Sequence, residues 1–292
     1  MSVRWLGLAT ATLTFALMVL GGVVHATGSS LACPDWPTCH GELMPPMVGG
    51  VLYEHSHRML GTLVGIFTLV LAAVLYRRGG ARRWLGLGVL GLVIVQGVLG
   101  GLTVIYQLPP AVSTAHLATA FAFLGTLLYI STNDAPKAQV PARVASLLTI
   151  ATAGVFLQSV LGALVRHTRA GIACGTDPLL CAGSLWPVHE LGRLQMEHRG
   201  AAILVTLLVV TAVVAIVREP RCRRLRPLAF LSLALVVVQV GLGLLTVMTV
   251  LEVVTVTGHL ATGALLFVVL LWQRLVIRQA GSEAWAAVRS PA

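Results

Sequence analysis

The sequence predicts an all-α integral membrane protein whose eight transmembrane helices form two parallel-repeat four-helix bundles. Three observations carry this. The 292-residue chain is 57% hydrophobic and only 10% charged, too few polar side chains to cover a water-facing globule of that size. Its apolar residues gather into runs of about 20, the length that crosses a hydrocarbon core. The second half also repeats the first at a near-constant offset, so one helical unit occurs twice.

The runs fall near 4–25, 54–76, 84–106, 113–131, 144–166, 196–217, 227–250 and 255–276. The first has one arginine before it and lacks a small-residue cleavage site, so it reads as a retained helix and not a removed signal peptide. The connections alternate in charge. Arg77, Arg78, Arg82 and Arg83 follow the second run, whereas no basic residue lies between Gln107 and Val112. Fifteen of the 20 Lys and Arg residues fall on one side; Arg58, Arg166, Arg169, Arg193 and Arg199 fall on the other. The positive-inside rule then places both termini in the cytoplasm and the two cysteine-bearing loops outside a plasma membrane. The same clusters explain the net charge of +10 as topology, with no nucleic-acid partner.

Val95-Gln96-Gly97-Val98-Leu99-Gly100 through Val104 returns as Val238-Gln239-Val240-Gly241-Leu242-Gly243 through Val247, at an offset of 143. Thr114-Ala115-His116-Leu117-Ala118-Thr119-Ala120 returns as Thr257-Gly258-His259-Leu260-Ala261-Thr262-Gly263 at the same offset, and Cys33 matches Cys174 at 141. An even number of helices per unit makes the repeat parallel, unlike the inverted repeats of many transporters. The expected organisation is an N-terminal bundle (1–131), a cytoplasmic linker (132–143), a C-terminal bundle (144–280) and a cytoplasmic tail (281–292).

Four of the nine histidines sit at helix mouths in repeat-related pairs, His57 with His198 and His116 with His259. A lone membrane histidine is usually a packing residue, but costly intramembrane ionisable groups rarely recur at matched depth by accident. Two neutral imidazoles facing across an apolar four-helix core suit the axial positions of a haem iron. Zinc fits less well, because no membrane thiolate completes a tetrahedral set. Small residues nearby, Gly61, Ala115, Ala118, Gly200, Gly258 and Ala261, would admit a flat macrocycle or simply let helices pack closely. Arg58 and Arg199 follow two of the histidines, placed to pair with haem propionates or to snorkel to headgroups. Gln96 and Gln239, at matching mid-helix positions, suit interhelical hydrogen bonds.

Two cysteine pairs, Cys33 with Cys39 and Cys174 with Cys181, lie in the outward loops, where disulfides persist. Cys222 is left over as a free thiol among cytoplasmic arginines. Either pair could staple its loop; the shorter, proline-containing Cys33–Cys39 ring could equally be redox-active. Glu54 stands three residues before His57, on the same helix face. The second unit has Gln195 at the equivalent place, and Glu197 does not replace the carboxylate, because it points about 100° away from His198. A carboxylate beside an apolar pocket can act as a base or stabilise positive charge, or it can merely pair with Arg58 one turn on.

Taken in order, these features resemble the bacterial and mitochondrial haem A synthases over about residues 5 to 277. The features are Glu54-His55-Ser56-His57-Arg58 opening helix two, a loop ending Trp36-Pro37-Thr38-Cys39-His40-Gly41, the His116 and His259 motifs, and Glu197-His198-Arg199-Gly200. The resemblance implies oxidation of the C8 methyl group of haem O to a formyl group by successive hydroxylations, giving haem A. It implies His57, His116 and Arg58 for the substrate haem O, and His198, His259 and Arg199 for a haem b cofactor. All four histidines would be axial iron ligands. Glu54, Cys33 and Cys39 would take part in the chemistry. The implied partners are the lipid bilayer, haem O synthase and an electron acceptor, with a homo-oligomer also compatible. The first cysteine pair has one fewer intervening residue than the second, a departure in loop geometry. The competing class is a dihaem electron-transfer protein of cytochrome b type, which shares the paired histidines but does not explain Glu54 against Gln195. A tandem-repeat transporter would want broken helices and a midplane polar site, which only Gln96 and Gln239 approach.

Overall fold

The computed structural model describes residues 2–133 and 137–279. Eight helices long and apolar enough to cross a membrane account for most of it, and the chain is an all-α multi-pass membrane protein. The helices are α1 (Val3–Ala26), α2 (Gly49–Arg77), α3 (Gly80–Ile105), α4 (Pro110–Thr132), α5 (Ala142–His167), α6 (Glu190–Arg218), α7 (Arg226–Met248) and α8 (Val253–Leu275). Each matches one predicted run. The largest differences are at the starts of α2 and α6, which begin about a turn and a half before the apolar stretches. Hydropathy locates the membrane-crossing part of a helix, whereas backbone hydrogen bonding carries it on into polar sequence. Glu54 and Gln195 therefore lie inside helices and not at their edges.

Each of α1 to α4 packs on the next, and α4 closes back on α1; α5 to α8 do the same. The two sets meet through α1 against α8, α4 against α5, and α4 against α8. The best-buried side chains cluster at this junction, among them Leu6, Phe121, Leu124, Leu127, Leu148 and Leu270. The rings of Phe121 and Phe267 meet edge to face with centroids 5.3 Å apart, the geometry favoured by aromatic quadrupoles. Ile66, Leu69, Ile94, Ile203, Leu207 and Val237 are exposed on α2, α3, α6 and α7, as expected of faces that meet lipid tails.

One feature of the linker was not expected. Ala138–Val140 (β1) pairs in parallel with Ile277–Gln279 (β2), which ties the connection between α4 and α5 to the segment after α8. Val140 and Ile277 are both buried beneath it. Three-residue strands are too short for any alternation to show in a sequence. The linker residues 134–136 and the tail 281–292 lie outside the described residues.

The α3–α4 and α7–α8 connections are also alike. Gln107 and Leu108 have φ of 57° and 62°, and Val250 and Leu251 have 55° and 64°. The amides of Leu108 and Leu251 close back on the carbonyls of Thr103 and Thr246, at 2.7 and 2.9 Å, which satisfies helix-end acceptors as a Schellman-type cap does.

Candidate functional site

Glycines on neighbouring helices seat the four histidines. His57 and His198 each lie about two turns into their helices, α2 and α6. His116 and His259 lie a similar distance into α4 and α8. A Cβ added to Gly21 of α1 would come 3.0 Å from His57 Nε2, and one on Gly162 of α5 would come 2.9 Å from His198 Cε1. The same test puts a Cβ on Gly100 of α3 at 3.4 Å from His116 Cε1, and one on Gly243 of α7 at 3.1 Å from His259 Cε1. Gly21 with Gly162, and Gly100 with Gly243, stand at matching repeat positions. The sequence holds 30 glycines; Gly100 and Gly243 stand in the matched α3 and α7 motifs, but nothing in the pattern ties any of the four to a histidine.

Glutamines hold three of the histidines from α3, α5 and α7. Gln96 donates to the His116 carbonyl at 3.1 Å and also to the Thr119 hydroxyl. Gln239 Nε2 lies 3.4 Å from His259 Nε2, and its backbone carbonyl accepts from His259 Nδ1 at 3.1 Å. A carbonyl only accepts, so the proton sits on Nδ1 and the Nε2 lone pair is left to accept from the Gln239 amide. Gln158 donates to the His198 carbonyl at 2.9 Å and lies 3.1 Å from Nδ1. Sequence reasoning missed Gln158 because its counterpart in the first unit is Leu17, so the repeat gave it no prominence.

The Cys33–Cys39 disulfide is formed, and its loop is clamped onto the mouth of α2. Glu54, only 4% exposed, accepts from the Cys33 amide at 2.8 Å and from Arg58 at 2.6 Å. Arg58 also donates to the carbonyls of Asp35 at 2.6 Å, Cys33 at 3.1 Å and Thr38. The side chain of Trp36 lies over Gly101 of α3, where an added Cβ would come within 2.9 Å of its ring. Asp35 accepts from the Thr38 hydroxyl and from the amides of His40 and Gly41. Those bonds, Thr38 first and Gly41 next, hold its carboxyl at about 2, below the ordinary 3.8. His55 Nε2 donates to the Leu43 carbonyl at 3.0 Å, and its buried Nδ1 is left without a partner.

The second loop ends in the same way on a different frame. Cys174 and Cys181 form a disulfide, and Cys222 is a buried free thiol. A bridge joins Cys39 to Glu42 in one loop and Cys181 to Ser184 in the other, each across a turn with two positive φ values, at His40 and Gly41 or at Ala182 and Gly183. Gln195 is as buried as Glu54, at 4%, but its amide donates only to the Gly171 carbonyl at 3.3 Å. Arg199 reaches the Leu180 carbonyl at 3.4 Å, and its Nη2 is buried with no partner. The two arginines thus differ: Arg58 is engaged by its own loop, whereas Arg199 has a donor to spare. Glu197 is exposed, consistent with its phase on the helix.

Of the small residues expected beside the histidines, Gly61 has only Leu17 Cδ2 nearby, 3.9 Å from an added Cβ, and Gly200 has nothing within 4 Å. Leu17 of α1 touches the first position, and the second is exposed. Gly258 makes ordinary contact with the Leu242 side chain, at 3.6 Å from an added Cβ.

An all-α membrane protein with two matched pairs of inward-placed histidines, each pair topped by a disulfide loop, is the class that fold and site define. The family described as "Cytochrome oxidase assembly protein" (COX15-CtaA) matches residues 4–50 and 48–271, and the chain belongs to it. The chain is 30% identical to the "Heme A synthase" of Geobacillus thermodenitrificans, with 99% of this chain and 96% of the relative covered. It is also 30% identical to the "Heme A synthase" of Caulobacter sp. (strain K31), with 90% and 92% covered, and to that of Staphylococcus epidermidis (strain ATCC 35984), with 88% and 90% covered.

Proposed function

We propose that this chain is a haem A synthase, a plasma-membrane oxidoreductase that converts the C8 methyl group of haem O to a formyl group by successive hydroxylations. The observation that carries the reading is the set of four repeat-paired histidines, each lodged against a repeat-paired glycine. The names of the relatives point the same way. In this reading residues 1–131 form the substrate unit and 144–280 the cofactor unit, with both termini cytoplasmic and both cysteine loops outside.

The residues present fit two porphyrins. His116 Nδ1 and Arg199 Nη2 are buried without partners, which is costly unless a ligand or a bound water satisfies them. His198 and His259 would hold haem b, with Arg199 at a propionate; His57 and His116 would hold the substrate haem O. When bound, haem b would supply one-electron redox chemistry at a potential set by the residues that hold it and their hydrogen bonds. Gln239 orients His259 by accepting its Nδ1 proton on the backbone carbonyl, and Gln158 braces His198.

On the substrate side, Arg58 would act as the clamp of the Cys33–Cys39 loop above the bound haem O. Glu54 lies one helical turn outward of His57 on the same face. There it would stabilise positive charge on the substrate or activate the incoming water, a role that Gln195 could not take in the second unit. Trp36 and the disulfide would cover the mouth and exclude bulk water, and Cys33 and Cys39, both 0% exposed, would exchange electrons with an outer acceptor once the loop opens. The test is spectroscopic. His198→Ala or His259→Ala should abolish the low-spin haem b spectrum of the purified protein; an unchanged spectrum in both would refute the cofactor assignment.

A further inference from the structure

We infer that Arg166, with His25 and His167, forms a carboxylate-binding clasp between the two units that takes a propionate of a bound porphyrin. The inference rests on the haem-binding reading above and adds a site on the junction between the units. Arg166 and His167 end α5, and His25 ends α1. The two imidazoles meet edge to face with centroids 5.1 Å apart. His25 Nδ1 lies 3.4 Å from the Ser30 hydroxyl, and His167 Nδ1 lies 3.3 Å from the Thr114 hydroxyl at the start of α4. Arg166 crosses between the units, with Nη2 donating to the His25 carbonyl at 3.3 Å.

Three points indicate a ligand and identify its charge. First, the Arg166 Nε is buried without a partner, and no carboxylate pairs with this guanidinium among the described residues. A partly buried cation at a membrane end with no counter-ion is unfavourable unless an anion joins it. Second, helical phase places the cluster over both porphyrin sites. Arg166 is four residues after Gly162, which seats His198; His25 is four residues after Gly21, which seats His57. Residues four apart share a helix face about one turn apart, so the clasp lies one turn outward of an iron-ligand position in each unit. A haem held by buried imidazoles would direct its propionates toward that more polar end. Third, the arginine is unmatched, because the first unit has His25 in its place. A single cation therefore serves a junction that the repeat would otherwise make symmetric. Arginine suits the task, since its planar fork binds a carboxylate through two parallel N–H bonds.

The experiment uses full-length protein in detergent. Haem retention is measured by competition with a haem-scavenging apoprotein, and the propionate bending modes by resonance Raman. Arg166→Gln should release haem roughly tenfold faster, the scale of one lost charge-assisted hydrogen bond, and should shift a propionate mode. Arg166→Lys should recover most of the retention. His198→Ala serves as the reference that removes an iron ligand. If His198→Ala loses its haem while Arg166→Gln keeps wild-type retention and Raman modes, the clasp is refuted and the haem reading stands. If wild-type protein binds no haem, both fail. Faster release in Arg166→Gln without any change in the propionate modes would also overturn the clasp, since it would mark a packing role alone.

Discussion

Glu54→Gln separates the two jobs assigned to this carboxylate, holding the cysteine loop and serving the chemistry. The substitution keeps the shape and one acceptor oxygen but removes the charge that engages the Cys33 amide at 2.8 Å and Arg58 at 2.6 Å. Hydrogen bonds to charged groups contribute about 1.5–3 kcal/mol, and each 1.4 kcal/mol is about a factor of ten. Arg58 retains its three loop carbonyls, so the cost should lie toward the lower end of that range. When opening is fast compared with attack, reduction tracks the population of the opened loop. Dithiol reduction of Cys33–Cys39 should therefore run roughly tenfold faster in the variant. Timed reduction, alkylation and peptide mass measurement report that rate, and Cys174–Cys181 in the same molecule supplies the reference. Arg58→Gln should act in the same direction, and the double variant should be less than additive, as expected for partners in one network. Equal rates at both disulfides in wild type and variant would refute the clamp. The variant should also keep its haem while making no formylated porphyrin; full activity would refute the chemical role.

Other predictions follow from the same contacts. Gly162→Ala would place a methyl 2.9 Å from the His198 ring, and it should weaken or displace the haem b spectrum while leaving a folded, membrane-inserted protein by circular dichroism. Gly101→Ala meets the Trp36 ring at 2.9 Å, so it should lift the loop and raise Trp36 accessibility to a water-soluble quencher, with no effect on haem b. The carboxyl of Asp35 is held at about 2, below its ordinary 3.8. Its hydrogen bonds to Thr38, His40 and Gly41 therefore support the loop above pH about 4 and are lost as pH falls through about 2. Loop protection against reduction in short acid pulses should decline across that window, and Asp35→Asn should flatten the decline.

Much of this was legible in the sequence, for identifiable reasons. Eight apolar runs became eight helices because lipid leaves backbone groups no alternative to internal bonding. The four histidines, Glu54, Gln195 and the cysteine pairs stood out because rare polar residues recur, or fail to recur, at fixed offsets in an apolar chain. What stayed hidden depends on juxtaposition. Gly21 and Gly100 matter only for the ring each faces across a helix contact. His25 and His167 are not repeat-equivalent, since His25 aligns with Arg166 and His167 with Ala26, and only the fold brings their rings together. In the sequence Arg166 contributes only to the charge asymmetry, and the fold sets it against α1. Arg58 illustrates the converse. Its position beside His57 suggested a propionate partner, whereas three loop carbonyls and Glu54 take up its donors.

The most direct test of the central claim is the identity of the porphyrins carried by the protein purified from cells that make haem O. Acid extraction followed by mass measurement should return haem b together with haem O or its oxidised products, including haem A, and Glu54→Gln should shift the second fraction toward haem O. Recovery of haem b alone, at two equivalents per chain, would contradict the synthase reading and point instead to a dihaem electron carrier.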